Sequence, residues 1–470
     1  MAAGEAFRVA SAAVDGALAL ATVLAGAAVV GLVGLHREGL RRVLLGTVDP
    51  RPLALFRIGL GLCLLLYAVE IAPLSTYLFS DEGLLPTAAV ARVLDGPERF
   101  GDGTGRLDAR AWLEYGMSGR GSLLHVRDDP AFVHVLVATF AVACVGMTIG
   151  CYTRACTVLA WLLLVSLLRR GNAHWGGEQT FNGLLVVLLL SRSGAAYSVD
   201  AWRRARALAR SGRLDLRDGP GEGGGAAPDA AHPHGLAAIY PRIPAWPQAL
   251  LLVQLGIAYA ANGWVKTGPT WISGDTLRLA LHLDRYTRVD WHALAVALGP
   301  WPFRLATWGV QWWERLFPLM LVGLWLRAVA RSGAPALRGP ARMTSRACWL
   351  VLAGALGVWA AVPGALADGP GPLASQRSAL LAVAVALLVL GVVLGPRLRA
   401  PALRPLRWLV DPRPWLVFGL LFHVTSLVFF GLGAFVGATL CGYVLCGIGP
   451  VCVAWVQRLT RALARVGVPM

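Results

Sequence analysis

Apolar runs of about twenty residues, long enough to cross a bilayer core, recur along this chain between short clusters of arginine, glycine and proline. They fall at Ser11–Leu35 and at about 53–73, 131–150, 155–169, 178–194, 247–265, 302–327, 346–366, 378–395, 414–430 and 432–454. The pattern predicts an all-α, polytopic integral membrane bundle of about eleven transmembrane helices, with no soluble β domain. The first run is too long for the apolar region of a signal peptide and leads straight into His36, Arg37, Arg41 and Arg42, so it reads as a retained helix.

Charge adds an orientation. The net charge is +17, 56% of residues are hydrophobic and the mean hydropathy is +0.60. Arginines crowd the segments after every second run, beginning with Arg37, Arg41, Arg42 and Arg51 and ending with Arg458, Arg461 and Arg465. The intervening loops are mixed or acidic; the longest, 74–130, carries nine acids against six arginines. The positive-inside rule then predicts an extracytoplasmic N-terminus and a cytoplasmic C-terminus in a bacterial cytoplasmic membrane. Basic charge spent on such loops, with no aromatic-lined basic groove, argues against a nucleic-acid partner; membrane lipids are the expected surroundings. The eight cysteines form no CxxC pair, which removes zinc-knuckle and thioredoxin-type chemistry, and no metal is expected.

Three regions follow. Residues 1–48 form an N-terminal transmembrane helix and basic loop, 49–454 the main transmembrane domain, and 455–470 a basic amphipathic tail. Within the main domain, 211–235 is Gly/Pro/Ala-rich and reads as a disordered cytoplasmic linker. The external loop 74–130 is too long to be featureless and should carry short membrane-surface helices.

One residue stands apart. Lys266 is the only lysine beside 42 arginines. Arginine keeps its proton in any protein setting, whereas a desolvated lysine can shed one and act as a base. Lys266 ends an apolar run, next to Trp264 and Trp271 and before Gly268-Pro269, and by the charge pattern it faces outward. The competing reading is a snorkelling lysine at a helix end. The same outer side receives Asn172, His174, Glu178, His282 and Asp284, and a lysine, carboxylates and imidazoles together at one membrane face point to acid–base chemistry. Lys266, Glu178, His282 and Asp284 are the catalytic candidates; Asn172, His174, Trp175, Trp264 and Trp271 are the binding candidates. Other ionisable groups inside apolar runs have plainer readings. Arg57 reads as snorkelling to the cytoplasmic interface, Glu314/Arg315 as a local charge pair, and His423 as a packing residue.

Several stretches, taken in order, resemble a known family. They are DPRPLALFRIGLGLCLLL at 49–66, SDEGLLP at 80–86, HWGGEQTFNGLLVVLLL at 174–190, YSVDAWR at 197–203, KTGPTWISGD at 266–275 and ALHLD at 280–284. Together they are similar to the bacterial HTTM proteins, membrane-domain relatives of vitamin K-dependent gamma-carboxylase. The resemblance implies that Lys266, five residues before Trp271, is the base toward reduced vitamin K of the menaquinol type. It also implies O2 and CO2 as co-reactants, and an exported peptide or a lipid as the molecule modified. Where the family pattern has a histidine this chain has Glu178, and the lumenal domain of the animal enzymes has no counterpart here. The alternative is a non-enzymatic maturation or export factor, or an amphiphile carrier. An ion-coupled transporter would show inverted repeats, and none is evident.

Overall fold

The computed structural model describes residues 2–84, 86, 89, 121–170, 178–211, 240–283, 287–331, 337–366, 411–446 and 448–465. The structure is mostly helical with almost no sheet. In chain order the helices are α1 (Ala2–Leu35), α2 (Arg37–Leu45), α3 (Pro50–Ile71), α4 (Ser75–Phe79), α5 (Pro130–Ile149), α6 (Thr153–Arg170), α7 (Glu178–Leu190) and α8 (Val199–Arg210). They continue as α9 (Trp246–Val265), α10 (Pro269–Ser273), α11 (Thr276–Ala280), α12 (His292–Leu298), α13 (Pro300–Arg331), α14 (Gly339–Leu366), α15 (Pro412–Phe429), α16 (Phe435–Gly442) and α17 (Gly449–Arg465). The two named strands are β1 (Thr47–Val48) and β2 (Ile243–Pro244), paired antiparallel.

An Asp-Pro step starts three of the long helices. The Asp49 carboxylate accepts from Arg51 N at 2.9 Å ahead of α3, Asp129 from Phe132 N at 3.1 Å ahead of α5, and Asp411 from Arg413 N at 3.0 Å ahead of α15. In each case proline takes the first helical position, where its missing N–H costs nothing. The α5 helix ends on Gly150 in the left-handed conformation, φ +70°.

Among the described residues, four helical stretches are long and apolar enough to cross a membrane: Pro50–Phe79, Pro130–Ile149, Trp246–Val265 and Pro412–Phe429. Two bent pairs raise the number to six if each counts as one span: Ala19–Leu35 with Arg37–Leu45 (78°) and Val436–Leu445 with Gly449–Thr460 (96°). Among the described residues the count is thus four to six and does not confirm eleven, for identifiable reasons. The run at 155–169 lies in α6, which carries Arg154, Arg169 and Arg170. The run at 178–194 yields only the 13 residues of α7, roughly 20 Å at 1.5 Å per residue, short of a ~30 Å core. The run at 302–327 lies in α13, with Arg304, Glu314, Arg315 and an internal Pro318. The run at 432–454 breaks between α16 and α17. The expected span 378–395, the linker 211–235 apart from Ser211, and most of the loop 74–130 lie outside the described residues.

Apolar side chains also cover the outside of these helices. Leu62, Leu66 and Val69 on α3, Leu250, Val253 and Ile257 on α9, and Val417, Leu421, Val424 and Val428 on α15 are exposed at helical spacing. A helix apolar on both its packed and its open face belongs in an apolar solvent.

The chain divides into two compact units, and the division passes through α9 and α15. The first comprises Met1–Gly46, Tyr259–Leu283 and Asp290–Gly419; the second Thr47–Ala258, Asp284–Val289 and Leu420–Met470. In the first, α1 packs along α14 and α10 to α12 lie on α13. An aromatic cluster of Tyr259, Trp313 and Phe317 packs with ring centroids 4.4–5.2 Å apart, and Trp313 Nε1 donates to Trp415 O at 3.0 Å.

The core of the second unit is Leu53, Phe56, Leu60 and Leu64 of α3 with Val133, Leu136, Phe140 and Met147 of α5, Leu163, Leu164 and Leu167 of α6, and Phe181, Leu185 and Leu188 of α7. Gly61 lets α5 come close: a Cβ there would lie 2.2 Å from Thr148 Oγ1. This unit has a basic and an acidic end. At the start of α3, the end of α5 and the start of α8 stand Arg51, Arg57, Arg154, Arg203, Arg204 and Arg206. At the opposite end stand Glu70, Asp81, Glu82, Asp128, Asp129 and Glu178, with Asp81 N donating to Asp128 O at 3.0 Å.

Arg57 does not snorkel. It is fully buried and donates to Ser193 O at 2.8 Å and Tyr197 O at 2.6 Å. At the acidic end, Arg170 and Asp128 form a buried ion pair at 2.7 Å beside His125. Burial first, then the nearby Arg170 charge, pushes the His125 imidazole down to about 4, against an opposing pull from Asp128. Between pH 6.5 and 4 the unfolded chain therefore binds a proton that the folded chain refuses, and stability falls as pH falls through that window. The loss reaches about 3 kcal/mol, from ~1.4 kcal/mol per pH unit. A His125→Gln variant should lose less than the wild type between pH 7 and 4 by that amount in denaturant titrations. Parallel pH curves for the two proteins would refute the assignment.

Candidate functional site

The site forms where α9 runs out. Lys266 follows the last residue of α9, Gly268-Pro269 opens α10, and Gly274, at φ +83°, turns the chain into α11. A Cβ at Gly274 would lie 2.9 Å from Arg304 and Trp308, so only glycine permits both the turn and the close approach to α13.

A polar stripe on α13 receives this segment. Arg304 donates to Asp275 at 2.9 Å, Thr307 Oγ1 accepts from Leu277 N at 3.3 Å, and Trp308 Nε1 donates to Ile272 O at 3.0 Å. Gln311 Nε2 donates to Lys266 O at 2.5 Å. Arg315 donates to the same carbonyl at 2.9 Å and to Gly263 O at 2.8 Å. The spacing 304, 307/308, 311, 314/315 is one face of a helix. At Gly263 a Cβ would lie 2.6 Å from Arg315 N, so α9 and α13 meet backbone to backbone. Pro318 removes the helical hydrogen bond to the carbonyl of Glu314, which breaks the α13 ladder beside the site.

The Lys266 ammonium donates to the carboxylate of Glu314. Glu314 is 4% exposed, and Lys266 keeps a partial opening, its side chain 19% exposed. The Trp271 ring covers Lys266 Nζ at 5.0 Å, and the Trp264 ring covers the Arg315 guanidinium at 5.5 Å. Two cations, one carboxylate and two indole faces leave a net positive, aromatic-walled site. Glu314 and Arg315 had been expected to pair locally; neighbours on a helix point about 100° apart, and here the carboxylate turns to Lys266 while the guanidinium turns to the backbone of α9.

The other sequence candidates are distributed differently. His282 is exposed, with Nδ1 2.8 Å from Arg278 O and its ring edge-to-face with His292 at 4.9 Å; no hydrogen bond, ion pair or ring contact joins it to Lys266. Glu178 is buried in the second unit at the start of α7, where a carboxylate suits the helix dipole. Asn172, His174, Trp175 and Asp284 lie outside the described residues. The sequence reading missed Gln311, Thr307 and Trp308. Their helical register with Arg304 and Glu314 was the available signal.

No protein-family model, curated protein or solved structure matches this chain.

Proposed function

We propose that this membrane protein performs acid–base chemistry on an amphiphilic acid, with the Lys266–Glu314 pair as proton acceptor. The observation that carries the reading is a lone lysine against a buried carboxylate, beneath an indole, with its own carbonyl held by Gln311 and Arg315. One proton is shared between amine and carboxylate, and the pair takes up a second from an O–H brought to the open side of Lys266. Trp264 and Trp271 offer flat faces to an aromatic ring, and the positive surplus from Arg315 favours the anion left behind.

That donor set fits a hydroquinone, the group implied by the gamma-carboxylase-like HTTM resemblance. When bound it would supply the acidic O–H and, with O2, the driving force for carboxylating an exported peptide or modifying a lipid. Glu178, His282 and Asp284 remain proposed partners in the chemistry, and Asn172, His174 and Trp175 proposed binding residues. The non-enzymatic reading, an amphiphile carrier or maturation factor, would use the same indole faces without the proton step.

Lys266→Arg separates the two. In nanodiscs supplied with menaquinol and labelled bicarbonate, and with the membrane peptide and lipid fractions as acceptors, wild type should give menaquinol-dependent label or quinol turnover. Lys266→Arg should be as inactive as Lys266→Ala, a loss of at least about a hundredfold. A fully active Lys266→Arg protein would remove the base role and leave binding.

The finer topology belongs to the same proposal: about eleven spans, N-terminus outside. The arginine-rich end of the second unit supports it. Reporter fusions at residue 220 should read cytoplasmic and at residue 100 extracytoplasmic. The reverse would overturn both the orientation and the outward placement of Lys266.

A further inference from the structure

The second unit contains a cavity of about 320 Å³ between α3, α7, α9 and α16, at the lower end of the range for small-molecule sites. Its walls are mainly apolar, with Phe56, Leu184, Leu251 and Leu255 prominent beside the neutral Gln179, Thr180 and Thr439, and among the described residues no charged one lines it. Gln254 projects from α9 into this lining. Its Nε2 donates to Gly183 O at 3.2 Å, and because a carbonyl can only accept, that bond fixes which end of the amide is oxygen. Gln254 Oε1 is sealed from solvent and accepts no hydrogen bond among the described residues. Gly183 makes the arrangement possible, since a Cβ there would come within 3.3 Å of the amide nitrogen. A buried acceptor with no donor is costly in an apolar wall and marks a place where a partner is missing.

We infer that this cavity binds a lipid alcohol, an uncharged apolar chain whose hydroxyl donates to Gln254 Oε1. The lining selects that class. An anionic head such as a carboxylate or phosphate would find no cation and would face the Gln254 oxygen with another acceptor. A plain hydrocarbon would leave the oxygen unpaired. The site is independent of the Lys266 reading, and either can fail without the other.

The test uses the full chain in nanodiscs with three photoreactive diazirine probes of equal chain length: hexadecanol, hexadecane and hexadecanoate. The alcohol should label peptides containing 179–184, 251–258 or 438–442, about five- to tenfold more than either other probe, the margin one hydrogen bond supplies. Gln254→Leu should reduce alcohol labelling to the hydrocarbon level while hydrocarbon labelling stays unchanged, which also shows that the variant is folded. Ala438→Phe, which fills the cavity, should reduce labelling by all three. Equal labelling by alcohol and hydrocarbon would overturn the inference and leave an acyl-chain groove. Alcohol labelling that survives Gln254→Leu, or that is absent from these peptides, would overturn it as well.

Discussion

Lys266→Ala is expected to destabilise the first unit by about 3–5 kcal/mol, the usual cost of stranding one partner of a buried ion pair. The Glu314 carboxylate is 4% exposed and the Lys266 ammonium is its partner. Glu314→Ala should cost less than Lys266→Ala, because Lys266 is partly exposed and can turn its charge toward water. The double variant Lys266→Met with Glu314→Met removes both charges together and should recover most of the loss, since a buried pair replaced by apolar groups of similar size is often near neutral. Unfolding of the wild type, Lys266→Met, Glu314→Met and the double variant in mixed micelles, combined as a double-mutant cycle, measures the coupling. A coupling near zero would mean the contact does not persist in the membrane. The cycle also separates structure from chemistry: the double variant should fold well and remain inactive. If it keeps activity, the pair is only a fastener for the segment after α9.

The sequence singled out the candidate residue of this site more clearly than its surroundings. A single lysine among 42 arginines, set between two tryptophans, singles out Lys266 as the candidate without alignment or structure. Its partner lies 48 residues away on a helix read simply as an apolar span, so the contact depends on how α9 and α13 cross. That crossing depends on Gly263, a residue with no chemical signature of its own. The starts of α3, α5 and α15 carry a local signal, the Asp-Pro step, that the apolar runs by themselves do not use. The number of spans was less legible for the opposite reason. Hydropathy adds up residues along the chain and does not see a 96° break between α16 and α17, or that α7 stops after 13 residues. Composition also misplaced Arg57. An arginine two turns into an apolar helix looks free to reach the interface, and nothing local reveals carbonyls 136 to 140 residues away that hold it inside.

Arg57→Met should destabilise the second unit by about 2–4 kcal/mol. Arg57 is wholly buried on α3, with Nη1 2.8 Å from Ser193 O and Nη2 2.6 Å from Tyr197 O; Ala196 O and Thr148 O lie further out at 3.5 Å. These carbonyls belong to the last turn of α5 and to the turn before α8, where helix-end groups need partners from elsewhere. Tyr197 also holds φ +45°, uncommon for a residue with a side chain, so the turn is not one its backbone would choose unaided. Each hydrogen bond from a charged donor contributes roughly 1.5–3 kcal/mol, and releasing a desolvated guanidinium gives part of that back, which sets the net range. Arg57→Lys keeps the charge but replaces a planar fork by one ammonium that cannot serve both carbonyls at that geometry, so it should recover less than half of the loss. Arg192→Met, an exposed change at the same end, should stay within about 0.5 kcal/mol. Hydrogen exchange at 193–200 should rise in Arg57→Met and remain at the wild-type level in Arg192→Met. A stable Arg57→Met protein with unchanged exchange would show that the turn before α8 holds itself, and that Arg57 is buried for some other reason.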